Sequence, residues 1–256
     1  DSFFDGSLVH FYDHLNWSGR MHNCNLLARL PLLVWYLPSW IVTKYFERGG
    51  YLNGYETFYH QMWHKLFLTI FYLMSMKKIK EICKSLSAGK ENTDCLFMMV
   101  ALPETILSIF FNGQDEIVYI TFFMYAIWHY LKGNIKKYYF WAVWSVICCP
   151  LMLLQYMIIV IADDKKIYAV IGQLLLPLIP QCVYKMFFSQ CLSYRYTGMS
   201  DYIKRYFSGS AFGTENKICS VFAIVLLTVF LFAYLYETDN VEEKMKSVFY
   251  MITVLF

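Results

Sequence analysis

A polar knot, Asn112-Gly113-Gln114-Asp115-Glu116, interrupts a largely apolar stretch running from Cys95 to Leu131. Two adjacent carboxylates are costly in such a place. At the centre of a lipid-facing helix each costs roughly 2.5–3.5 kcal/mol, so the pair belongs at a water interface or in a hydrated cavity. Two other polar stretches offer partners for them. Asp1 to Asn25 carries Asp1, Asp5 and Asp13, and Ser189 to Lys217 carries Arg195, Asp201, Lys204 and Arg205. Carboxylates facing cations at a membrane surface suit the transfer of a group away from an anionic lipid. One acid deprotonates the acceptor hydroxyl, and the cations hold the departing phosphate. Loops are also simply where charges collect, and any one of these side chains alone is explained that way.

The elements that must position these groups follow from composition. The chain has 256 residues, 58% hydrophobic and 20% aromatic, with only 16% charged and a mean hydropathy of +0.40. That balance predicts an all-α, polytopic transmembrane bundle. Candidate spans are Phe58 to Met76, Cys95 to Phe111, Ile117 to Leu131, Tyr138 to Ala162, Ile167 to Phe188, Ile218 to Tyr236 and the run from Ser247. The linker with Lys77, Lys78 and Lys80, and the one with Lys132, Lys136 and Lys137, both read as cytoplasmic by the excess of positive charge. Asn112 to Glu116, Asp1 to Phe58 and Ser189 to Lys217 then face outward together. Leu26 to Tyr45, with Pro31 and Pro38, reads as a bent helix lying in the outer interface. Tyr138 to Ala162 holds Pro150 in its middle, which predicts a helix broken into a short pair. The chain starts with Asp and ends inside an apolar run. It therefore reads as one transmembrane domain truncated at both ends, with 1–58 as an external loop carrying the interfacial helix and 59–256 as spans and loops.

Other motifs carry less. The eight cysteines show no CxxC pair, and Cys148, Cys149 and Cys219 sit in apolar runs as small hydrophobes. His10 and His14, like His60 and His64, stand four apart, but neither pair has the Glu of a zinc-protease helix. The sequence has no phosphate-binding Gly-rich loop, no GxSxG and no nucleic-acid signature.

Ala101-Leu102-Pro103, then Phe110-Phe111-Asn112-Gly113-Gln114-Asp115, then an aromatic-rich segment ending in Tyr130-Leu131-Lys132-Gly133, resembles the GT-C class of membrane glycosyltransferases. Many bacterial polytopic members carry a proline-containing helix, a Gly-Gln-aromatic-Asp turn and a helix that exits at Leu-Lys-Gly. Gly54-Tyr55-Glu56 and His64-Lys65-Leu66-Phe67 look more distantly like the eukaryotic glucosyltransferases that use dolichyl-phosphate glucose. Two departures stand out: the aromatic between Gln114 and Asp115 is missing, and Cys149 stands before Pro150 where relatives often have Lys.

The resemblance implies an inverting hexosyltransferase that takes a sugar from a polyprenyl-phosphate donor and gives it to a glycan or lipid acceptor at the external membrane face, in envelope glycan or glycolipid assembly. It implies Asp1 or Asp5 as general base. Gln114, Asp115 and Glu116, with Asp13, would orient acceptor or base, and Lys204 and Arg205 would neutralise the phosphate. No cofactor is required, although a divalent metal is compatible. The expected partners are the lipid bilayer, the lipid-linked donor and the acceptor, with no nucleic acid, and the expected location is the bacterial plasma membrane as a multi-pass protein. The rival reading is a transporter, flippase or polymerase-type protein for lipid-linked saccharides, which would keep its essential charges near the bilayer midplane.

Overall fold

Among the described residues the apolar runs fold as helices, with bounds that differ from those the composition suggests. The computed structural model describes residues 30–47, 55–86, 116–149, 152–164, 166–187, 211–214, 217–238 and 240–255. These form eight helices and one two-stranded hairpin: α1 (Leu30–Glu47), α2 (Tyr55–Leu86), α3 (Glu116–Leu131), α4 (Ile135–Cys148), α5 (Met152–Asp163), α6 (Ile167–Phe187), β1 (Ala211–Thr214), β2 (Lys217–Ser220), α7 (Val221–Leu235) and α8 (Val241–Leu255). The chain divides into two units, Cys24–Met152, and Asp1–Asn23 with Leu153–Phe256.

In the first unit α2 is the longest element, at 32 residues. Its buried side chains Leu68, Tyr72, Ser75, Ile79 and Ile82 recur every three or four residues, the spacing of one helix face. That face runs straight through Lys77-Lys78-Ile79-Lys80, so the expected linker is helix. Phe67, Leu68, Tyr72, Met76 and Ile79 pack with Ile117, Val118 and Phe122 of α3 into one core, flanked by Trp35, Phe71, Trp141 and Trp144. Fully burying side chains of this size contributes roughly 1.5–3 kcal/mol each. The Thr121 hydroxyl lies 3.0 Å from the Phe71 carbonyl and 2.6 Å from the Ile117 carbonyl, which satisfies it inside the core. Phe71 opposite Thr121, and Lys78 opposite Tyr125 and Trp128, show that α2 and α3 run parallel. Near the start of α2, Trp35 of α1 stacks on Trp63 at 4.9 Å, and each indole N–H donates to the other residue's carbonyl at 3.0 Å.

Helices α3 and α4 form an antiparallel hairpin. The Ser145 hydroxyl donates to the Tyr119 carbonyl at 2.9 Å at one end, and Tyr130 meets Tyr138 at 5.3 Å at the other. The turn between them is a Schellman ending. Gly133 N–H donates to the Tyr130 carbonyl and Asn134 N–H to the His129 carbonyl, both at 2.9 Å, with Gly133 at φ 69°. Helix α4 stops at Cys148 and α5 starts at Met152, so the chain breaks around Pro150 as its position predicts.

In the second unit, Pro177 and Pro180 lie inside α6. Pro177 has no N–H to offer the Gln173 carbonyl four residues earlier, and the buried Tyr156 hydroxyl of α5 donates to that carbonyl at 3.1 Å. Strands β1 and β2 pair antiparallel, with Thr214 opposite Lys217. Helix α8 begins at Val241, earlier than the run expected from Ser247. The Asn240 side chain accepts from Glu242 N–H at 3.0 Å, an N-cap, and Glu242 and Glu243 suit the positive end of the helix. Lys244 of α8 pairs with Asp163 of α5 at 3.0 Å.

The polytopic transmembrane bundle and the multi-pass location are corrected by this structure. Among the described residues no helix is long and apolar enough to cross a membrane. Helix α3 has 16 residues and α7 has 15, roughly 24 Å and 22 Å of rise against a hydrocarbon core of about 30 Å. In α2 the charge-free apolar run Leu66–Met76 lies between Lys65 and Lys77 and rises only about 16 Å. In α6, Pro177, Pro180, Gln173 and Gln181 interrupt the middle. The expected span Cys95 to Phe111 lies outside the described residues. The helical class stands, with a short β hairpin added.

Candidate functional site

Of the residues the sequence nominates, Asp1, Asp5, Asp13, Gln114, Asp115, Lys204 and Arg205 lie outside the described residues, as do His10 and His14. Glu116 is placed as the first residue of α3. His64 stacks over Tyr36 at 6.1 Å between α1 and α2, and belongs to that helix contact.

The best-defined cluster of charged groups lies between α2 and α3. Lys78 is buried, and its Nζ sits 2.6 Å from Glu81 Oε2, one helical turn on. The same ammonium lies 3.7 Å from the centre of the Trp128 ring and 5.0 Å from that of Tyr125. A desolvated cation over an indole face gains on the order of 2 kcal/mol, so the two rings and the carboxylate together replace the lost water. Lys78 therefore fastens α2 to α3, with its charge already engaged.

Beside it, His129 packs edge-on to Trp128 at 4.7 Å and is buried, and its Nδ1 has no hydrogen-bond partner among the described residues. Burial, then the charges of Lys137 and Lys78, hold its pKa below the usual 6.5. The imidazole is accordingly neutral at neutral pH and able to accept a proton. Lys78 belongs to α2 and Lys137 to the first turn of α4, so cations of both helices act on the imidazole. Sequence reading missed this cluster because it treated Lys78 as part of a linker. The signal was available in the spacing of Tyr72, Met76, Ile79 and Ile82, which carries helix past the lysines.

In the second unit a groove of about 460 Å³ lies along α7 and α8, lined by Ile224, Val225, Val229, Phe232, Tyr250 and Met251 among others. Thr228 also lines it, but its hydroxyl donates to the Ile224 carbonyl at 2.8 Å, so it presents little polarity to the groove. Among the described residues no charged side chain lines the groove, which suits a hydrocarbon chain. Among the described residues no three His, Cys, Asp or Glu side chains converge on a metal position. Among the described cysteines Cys182 is exposed, and Cys83, Cys148 and Cys149 are half-buried.

Comparison of the chain with protein-family models, with curated proteins and with solved structures finds no match.

Proposed function

We propose that the chain belongs to a glycosyltransferase that takes a sugar from a polyprenyl-phosphate donor. The observation that carries this reading is the placement of α3. It opens at Glu116, directly behind Gly113-Gln114-Asp115, and closes at Leu131 before Lys132-Gly133, with Gly133 in the left-handed conformation. A polar segment bearing Gln and Asp, then a helix ending at Leu-Lys-Gly, follows the order of the resemblance apart from the missing aromatic between Gln114 and Asp115. The uncharged groove along α7 and α8 supports it, since a prenyl chain needs an apolar bed.

In the reaction, Asp1 or Asp5 accepts the proton of the acceptor hydroxyl as its oxygen bonds to the sugar carbon. The bond from that carbon to the phosphate oxygen breaks, and polyprenyl phosphate leaves, its charge met by Lys204 and Arg205. Asp13, Gln114, Asp115 and Glu116 hold the acceptor. The test is incubation of the protein with radiolabelled polyprenyl-phosphate sugar and a membrane extract as acceptor source. Label should pass to a product in the wild type. Absence of labelled product under all donor sugars tried, from protein shown to be folded, would refute the reading.

A further inference from the structure

Every third or fourth residue along one exposed face of α2 can be followed from Met62 to Lys84. The first half of this stripe is Met62, Leu66, Ile70 and Leu73, all exposed, with Leu73 61% accessible. The second half, in the same register, is Lys77, Lys80 and Lys84, also exposed. The change from apolar to cationic is abrupt, and no acid interrupts the stripe. Glu81, the acid on this stretch of helix, is turned to Lys78.

Four large apolar side chains aligned on open helix surface mark a contact surface. The lysines in the following turns decide which kind. A protein groove would accept the apolar half, but three successive cations in line with it call for a dense plane of negative charge beside an apolar phase. We infer that this face of α2 docks on an anionic lipid leaflet, tilted so that its apolar half enters the interface and its cationic half stays at the headgroups, with no described element crossing the leaflet. Met62, Leu66, Ile70 and Leu73 sink among the acyl chains by roughly 5–10 Å, the depth an interfacial helix reaches. Lys77, Lys80 and Lys84 lie over the phosphates, their alkyl stems following the apolar surface while the ammonium groups reach the headgroups. The inference stands on the stripe alone and does not depend on the transferase reading.

Each lysine near an anionic surface contributes about a fivefold gain in affinity, and three together roughly a hundredfold. The test is flotation of the purified chain with vesicles of phosphatidylcholine alone, and with vesicles of phosphatidylcholine mixed with phosphatidylglycerol. Binding to the mixed vesicles is expected to be on the order of a hundredfold tighter and to weaken with salt. The triple variant Lys77→Gln, Lys80→Gln, Lys84→Gln should lose that preference. The pair Leu66→Ser, Ile70→Ser should lose binding to both vesicle types. Circular dichroism keeps the result interpretable, because these exposed changes should leave helicity intact. Equal binding to both vesicle types, or folded variants that bind like the wild type, overturns the inference. So does a concentration-dependent dimer, seen by sedimentation, that the Leu66 and Ile70 changes dissolve, since the face would then be occupied by a second copy.

Discussion

Replacing Gly133 and Gly172 by alanine should move stability in opposite directions, and the structure supplies both signs. A Cβ added at either position meets nothing within 4 Å, so neither substitution creates a steric clash and the backbone decides. Gly133 sits at φ 69°, where an L side chain costs roughly 1–2 kcal/mol. Alanine recovers about 0.4–1 kcal/mol by restricting the unfolded chain, which leaves a net loss of about 1 kcal/mol. Gly172 lies within α6 in an ordinary helical conformation, where alanine should gain about 0.5–1 kcal/mol. Six of the seven tryptophans, Trp35, Trp40, Trp63, Trp128, Trp141 and Trp144, belong to the unit Cys24–Met152. Tryptophan fluorescence during thermal unfolding therefore follows Gly133→Ala, with an expected fall of about 3 °C in midpoint. Circular dichroism at 222 nm follows Gly172→Ala, with an expected rise of about 2 °C. Asparagine at 133 should cost less than alanine, because it tolerates the left-handed region. An unchanged midpoint for Gly133→Ala, or asparagine worse than alanine, would refute the Schellman turn as the device that joins α3 to α4.

The Lys78 cluster makes an asymmetric prediction. Glu81→Gln strands a buried ammonium and should cost about 1–2 kcal/mol, reduced from the fully buried case because the Glu81 side chain is 32% exposed. Lys78→Met removes the charge that needed compensation and keeps the packed stem, so it should cost under about 1 kcal/mol; chemical denaturation that reverses this order would count against the arrangement. His129 has its folded pKa below the usual 6.5, so the unfolded chain takes up its proton first as pH falls. Its contribution is intact above about pH 6.5 and declines as pH drops from there through the folded value. Thermal midpoints taken on either side of that pH should diverge in the wild type and diverge less in His129→Phe; equal pH dependence would show that another group titrates.

Where a helix began and ended was legible wherever local chemistry marked it. The run expected from Ile117 to Leu131 is α3, Glu116–Leu131, bounded by the polar knot before it and by Gly133 after it. Ile167 to Phe188 is α6 to within a residue, and α4 ends and α5 begins on either side of Pro150. What failed was inference from totals. Mean hydropathy counts apolar residues without asking where charges cut them, so Leu66–Met76 looked like part of a span although Lys65 and Lys77 bracket it. Lysines were read as punctuation, yet Lys78 lies in a helix because Ile79 and Ile82 continue the buried face. The hairpin Ala211–Ser220 escaped because strands of four residues show no alternation long enough to recognise. For the candidate site, α3 was legible as the helix behind Gln114 and Asp115. The nominated acids and cations other than Glu116 lie outside the described residues, and the charge argument that grouped them assumed spans that the described helices do not form.

The transferase reading is tested most directly by one turnover measurement on Asp115→Asn and Asp5→Asn beside the wild type, with labelled polyprenyl-phosphate sugar as donor. Asn keeps the shape and hydrogen bonding of Asp but loses its basicity. An essential general base contributes about 10²–10⁴ in rate, so Asp5→Asn or its counterpart Asp1→Asn should fall by that factor, with Asp115→Asn reduced less. Full transfer by all three variants, with circular dichroism unchanged from the wild type, would contradict the account.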